Sequence, residues 1–248
     1  MALSSLLEVV TQACDEMGLQ RPGAAGVIGS SLPQDRQMLA LLQAAGRELR
    51  DSHQWSALIA TASITTATAS STYSLPSDFN RLVEDTGWNR TNHFPMLGGI
   101  SPQRHQFWLS SSVIAPATRK EYFVSVSSTS TGGSTISLHP EPTAAETLVF
   151  FYISKNWVWS SGTSTAASQF AADADTTIFK PLLLVKELKW RFRSAKGLAS
   201  TDLIAERNAL YDKYVAADLA TPTIDMAGPV GPAPYDWVNI PDGNWSLI

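Results

Sequence analysis

The stretch WSALIATASITTATASSTYSLPSDFNRL, residues 55–82, decides the reading of the fold. Leu58, Ala60, Ala62 and Ile64 alternate with Ile59, Thr61, Ser63 and Thr65, the period of a half-buried strand. A Ser/Thr turn follows, and Tyr73-Ser74-Leu75 predicts a second strand that Pro76 stops by removing a ladder donor. Helical patterns lie on both sides of this region. The stretch therefore opens a β-rich insertion inside a helical body, and no catalytic constellation accompanies it.

Working outward, the N-terminal side is helical. Leu3, Leu6, Leu7, Val10, Ala13, Cys14 and Met17 form one apolar face, Ser5 and Glu8 a capping box, and Gly18 a stop. A second helix starts near Ser31-Leu32-Pro33 and carries Met38, Leu41, Leu42, Ala45 and Leu49, with Trp55 packing at its exit. Two such stripes need partners. The helices expected from Ile178 to about Lys196, and from Thr201 to about Ala220 with Ser200 as N-cap, supply them. The fold class expected is α+β: a four-helix bundle built from both chain ends, residues 1–56 and 177–220. It carries an inserted antiparallel β-domain over 57–160, an exposed loop over 161–176 and an extended Pro/Gly-rich C-terminal arm over 221–248.

Within the insertion, Tyr122, Val124 and Val126 and then Ile136 and Leu138 alternate around Gly132-Gly133, a hairpin pattern. The apolar run Thr147–Ile153 predicts a central strand covered on both faces. Residues 161–176 are rich in Ser, Thr, Ala and Asp and read as loop. The arm holds five prolines yet also Tyr235, Trp237, Val238, Ile240, Trp245, Leu247 and Ile248. Such groups on a Pro/Gly arm suit docking on a neighbour, and wrapping back over the arm's own body is the alternative.

Composition bounds the function. With 248 residues the chain can bury a core, and a net charge of -4 advertises neither nucleic acid nor an anionic membrane as a partner. The single cysteine, Cys14, excludes an intramolecular disulfide and sits on an apolar stripe. No apolar leader or bilayer-length segment is present, so a protein soluble in the cytoplasm and not inserted in a membrane is expected. His53, His93, His105 and His139 are scattered without metal-ligand spacing, and no phosphate loop or nucleophile elbow occurs. Catalytic, cofactor and metal sites are accordingly expected to be absent. Glu8, Asp15 and Glu16 have the spacing of a solvated helix face rather than of a glycosidase pair. Lys180, Lys186, Lys189, Arg191, Arg193 and Lys196 crowd the third helix. Lys186, Lys189, Arg191, Arg193 and Lys196 are candidates for contact with a neighbouring subunit or with DNA. The opposing reading is a solvated face bridged to Asp202, Glu206 and Asp212.

Two motifs, in this element order, carry a resemblance. The Y-x-LP-x-DF-x-R run at Tyr73–Arg81 resembles a motif of the head-to-tail adaptor proteins of tailed bacteriophages. So does the segment Leu138-His139-Pro140-Glu141-Pro142 leading to Leu148 and Tyr152, and the closing helix pair fits the same layout. The resemblance implies a structural virion protein at the head–tail junction, assembled in the host cytoplasm. It implies a homo-oligomer, a dodecameric ring, between the portal protein and tail or nozzle proteins, with DNA passing through its channel. On this reading the arm residues Tyr235, Trp237, Ile240 and Trp245 bind the portal or a neighbouring subunit. A glycan-binding β-module on a helical oligomerisation stem, using Trp88, Trp108, Trp157 and Trp159, is the alternative, with a cell-wall hydrolase behind it.

Overall fold

The computed structural model describes residues 4–110, 119–125 and 133–218. Leu3, Val126, Gly132 and the whole arm, with Tyr235, Trp237, Ile240 and Trp245, lie outside the described residues. Helix α1 (Leu6–Met17) opens on the expected capping box: Ser5 Oγ accepts from the Glu8 N–H while Glu8 accepts from the Ser5 N–H. It closes on Gly18 in the left-handed region at φ 68°. Helix α2 (Pro33–Ser52) begins with proline in its first turn and leads through a 3-10 turn, Ser56–Leu58, into strand β1 (Ile59–Thr65).

The short strands β2 (Thr72–Ser74), β3 (Phe79–Leu82), β4 (Trp88–Asn89) and β5 (Phe94–Pro95) precede helix α3 (Pro102–Ser110). Then come β6 (Glu121–Ser125), β7 (Thr135–His139) and β8 (Thr147–Ser154). Strand β8 is central: β1 runs antiparallel along one edge from Ile59↔Ile153 to Thr65↔Thr147, while β3 and β4 share the other. The expected hairpin is present as β6 against β7, with Tyr122 opposite Leu138 and Val124 opposite Ile136, and β2 adds to β7. The two sheets close on one core that includes Ala62, Ile64, Phe79, Ile136, Leu138 and Phe150. The strand is not covered on both faces as expected. Phe151 is exposed, because the second sheet packs only on the face that holds Leu148, Phe150 and Tyr152.

A third small sheet, β9 (Val158–Trp159) between β10 (Ala166–Ala167) and β11 (Thr176–Thr177), takes three residues of the stretch expected as exposed loop, most of which is exposed. Asp175 is fully buried there and accepts from the N–H groups of Ser161, Ala171 and Ala172 and from the Ser161 hydroxyl. This folds the loop inward and delivers Phe170 to the helical core. A carboxylate so satisfied can be buried at small cost.

Helix α4 (Pro181–Ala195) starts three residues later than expected, since Pro181 holds Lys180 extended. Helix α5 (Thr201–Asp218) runs back along it. Helices of both chain ends do share a core, with α4 touching α1, α2 and α5. The arrangement departs from a four-helix bundle, however. No residue of α5 is fully buried, and Leu210, Tyr211, Tyr214 and Val215 only lean on the core. Trp157, Val158 and Ile153 close the remaining side, so the end of β8 locks the β-sheets to the helices.

Candidate interaction surfaces

The cations of α4 are placed by the burial of Leu183, Leu184, Leu188 and Phe192, which turns the remaining positions outward around the core. Lys186 pairs with Glu206 at 2.6 Å, Lys189 with Glu16 at 2.7 Å and Arg191 with Glu48 at 2.7 Å. Of the carboxylates expected on the next helix, Glu206 pairs with α4, while Asp202 and Asp212 form no ion pair among the described residues. Glu187 is fully buried and takes Arg191, Arg207 and the Trp190 indole N–H. Three of the five candidate cations are thus occupied within the chain. Among the described residues Arg193 and Lys196 form no ion pair, although Lys196 lies over the Phe192 ring at 5.3 Å. Just beyond them Gly197 turns the chain at φ 72°, and Leu198 is 55% exposed.

A cleft of about 640 Å³ lies between β3 and β6. Phe79, Leu82, Ile100 and Val124 contribute apolar walls, and Glu84 and Asp85 stand at it exposed. Neither carboxylate forms a hydrogen bond or ion pair among the described residues. Asn80, on the same strand, donates to Asp51 at the end of α2, which ties β3 to the helical body.

Helix α3 was not anticipated. Of its residues only His105 and Trp108 are half-buried, and Phe107 and Leu109 are each 62% exposed. Arg104 and the Trp108 N–H both reach Glu121, and His105 stacks on Phe123 at 4.3 Å. The structure also brings together two histidines that are 34 residues apart: His105 Nδ1 and His139 Nε2 are 3.1 Å apart. Burial, with His105 adding, holds His139 below its ordinary value. A histidine depressed in the folded state adds stability above its unfolded value of 6.5, and that contribution is lost as pH falls from there through the folded value. Proteolysis within 102–110 should therefore quicken between pH 7.5 and 5, and His139→Gln should flatten the dependence. An equal rate at both pH values, with protease activity matched, would remove the role given to the pair.

The residues of the two other readings are dispersed. Trp157 is fully buried against Phe170 and Phe179, Trp108 stacks on His139, and Trp159 alone of the four is strongly exposed, at 45%. No tryptophan platform for a sugar results. Glu8 is the capping-box acid and Asp15 pairs with Arg21. Burial works to raise the Glu16 carboxyl, but its Lys189 and Gln12 hydrogen bonds outweigh this and hold it below the ordinary value. That is the reverse of what a general acid needs. Burial, with Asp35 and Asp15 adding, pushes the Cys14 thiol up to about 11, an unreactive state. Among the described residues no group of three or more His, Cys, Asp or Glu is placed to hold a metal. No described helix is long and apolar enough to cross a membrane.

The described chain ends at a fixed point. Asp218 accepts from the Ser56 N–H and hydroxyl, each at 2.7 Å, and lies 3.7 Å from His53 Nε2. These contacts pin the end of α5 beside Trp55 and Phe179, at a cleft of about 390 Å³. The arm begins three residues further on. A family model described as SU10 adaptor protein matches residues 4–232. No curated protein matches the chain.

Proposed function

Because the chain belongs to the SU10 adaptor protein family, a phage head-to-tail adaptor family, we propose that it forms a closed ring joining the portal to the tail and continuing the DNA channel. The family assigns a structural role in a phage particle. The observation that carries the finer reading is the near full-length match, which spans the three sheets and five helices of the described residues.

The mechanism on this reading is geometric. Helices from both chain ends, interlocked through α4 and Trp157, form a stiff body around the axis. The β-sheets face the tail, and assembly takes place in the host cytoplasm. Of the basic cluster, Lys186, Lys189 and Arg191 brace the body from within, which leaves Arg193 and Lys196 to meet a neighbour. The chain's mild negative charge suits a conduit that must release DNA.

The arm is the attachment. It leaves from the pinned end of α5, and Tyr235, Trp237, Ile240 and Trp245 are its anchors on the portal or on the next subunit. They lie past the matched stretch, as befits contacts fitted to one partner. Burial of a few such side chains contributes roughly 1.5–3 kcal/mol each, less the cost of ordering the arm. Repetition around a ring multiplies the effect. Deleting Pro229–Ile248 should leave a folded body whose occupancy on portal-bearing heads falls by about two orders of magnitude or more. Full occupancy of the truncated protein would overturn the attachment role. Loss of folding would instead favour an arm wrapped over its own body.

A further inference from the structure

We propose that the turn between α4 and α5 of one copy, with Arg193, Lys196 and Leu198, inserts into the β3–β6 cleft of a second copy, where Glu84 and Asp85 receive the two cations. This contact rests on the ring reading above and names the surfaces that build the ring.

Charge complementarity carries the argument. On α4, Lys186, Lys189 and Arg191 have carboxylates within the chain, whereas Arg193 and Lys196, at the turn, have none among the described residues. Glu84 and Asp85 are neighbouring carboxylates, exposed at a concave surface and equally without partners. Arg81 lines the same cleft and forms no ion pair among the described residues, so the cleft sets two carboxylates against one cation and keeps a negative balance. Within one copy the two cations and the two carboxylates do not meet.

Shape agrees with charge. Gly197 closes the turn in the left-handed region, and Leu198 stands more than half exposed on it, beside Arg193. The cleft offers apolar walls from Phe79, Leu82, Ile100 and Val124 with the two adjacent carboxylates beside them. Leucine against those walls, flanked by cations at the rim, is the usual layout of an interface core and its polar border. The surfaces are also unlike one another. One is on the helices and the other between the sheets, so the contact is heterologous, and repeated rotation can close it into a ring.

The test reverses charge on each side of the full-length chain. In purified particles, Arg193→Glu with Lys196→Glu should lower the copies per particle about tenfold or more, and Glu84→Lys with Asp85→Lys should do the same. All four changes together should restore the number to within about twofold. An unchanged copy number for either reversal overturns the contact, as does failure of the combined variant to recover. Loss with the α4–α5 reversal alone would assign that turn to DNA or another partner. A second measurement uses Glu84→Cys with Lys196→Cys, since Cys14 is buried. Mild oxidation of assembled particles should give a ladder of linked chains, and monomers only would count against the pairing. Wild-type particles with one copy would defeat the ring itself. A wild-type ring whose reversals do not recover defeats only this contact.

Discussion

Glu187→Ala is expected to cost about 3–5 kcal/mol of stability, measured by denaturant unfolding of the full chain. Glu187 is fully buried in the middle of α4 and is the common partner of Arg191, Arg207 and the Trp190 N–H. Its two guanidinium groups are themselves only 12% and 17% exposed. Removing the carboxylate leaves both cations in a site that water reaches poorly, and that imbalance is the source of the cost. Arg191 keeps Glu48, which limits the damage on the α2 side. Arg207 keeps only Asn208 and the Tyr211 ring, so α5 should loosen first. The exposed Lys186–Glu206 pair is too weak to hold it. Glu187→Gln, which retains an acceptor for Trp190, should cost less than alanine. A loss under about 1 kcal/mol for Glu187→Ala would contradict the role given to this residue as the lock between α4 and α5.

Trp157→Ala should cost about 3–5 kcal/mol by the same measurement, and it should loosen the sheets from the helices. Trp157 is fully buried and packs edge-on to Phe170 and stacked on Phe179. Its ring lies against Gly46 of α2, where an added Cβ would fall 2.2 Å from Trp157 Cη2. The site has no room on that side, so Gly46→Ala must push the ring away and should itself destabilise by about 1–3 kcal/mol. The two changes are therefore coupled. With the indole gone, the alanine Cβ enters the space it vacates, and Gly46→Ala should then be neutral or stabilising, since glycine is a poor helix former. Strict additivity of the two substitutions would show that the contact does not carry the packing. Trp157→Phe should cost less than Trp157→Ala, because it keeps most of the buried ring, and the indole N–H it gives up has no partner among the described residues.

Much of this architecture was legible in local patterns. The capping box at Ser5 and Glu8, the stop at Gly18, the β6–β7 pairing and the strand Ile59–Thr65 each follow from a signal of a few residues. Features that depend on distant partners were not. Residues 161–176 have a loop's composition, and the carboxylate that folds them works through backbone donors, which no side-chain pattern reveals. Helix α3 has little amphipathic character because it docks through two aromatic rings, although Ser101 Oγ, accepting from the Arg104 N–H, was a readable start signal. The pairing of His105 with His139 could not be read from a 34-residue separation. The basic helix was visible as a charge run. Which of its cations remain for a partner depended on Glu16, Glu48 and Glu187, drawn from three helices.

The proposed place of this chain is a ring between portal and tail. Imaging of purified particles with the chain localised, by labelled antibody or by fitting of its fold into the density, tests it most directly. The predicted result is a closed ring at the head–tail junction, coaxial with the portal channel and with the arms reaching toward the portal. Density for the chain at a fibre tip or on the capsid faces, with the junction built from other proteins, would contradict it.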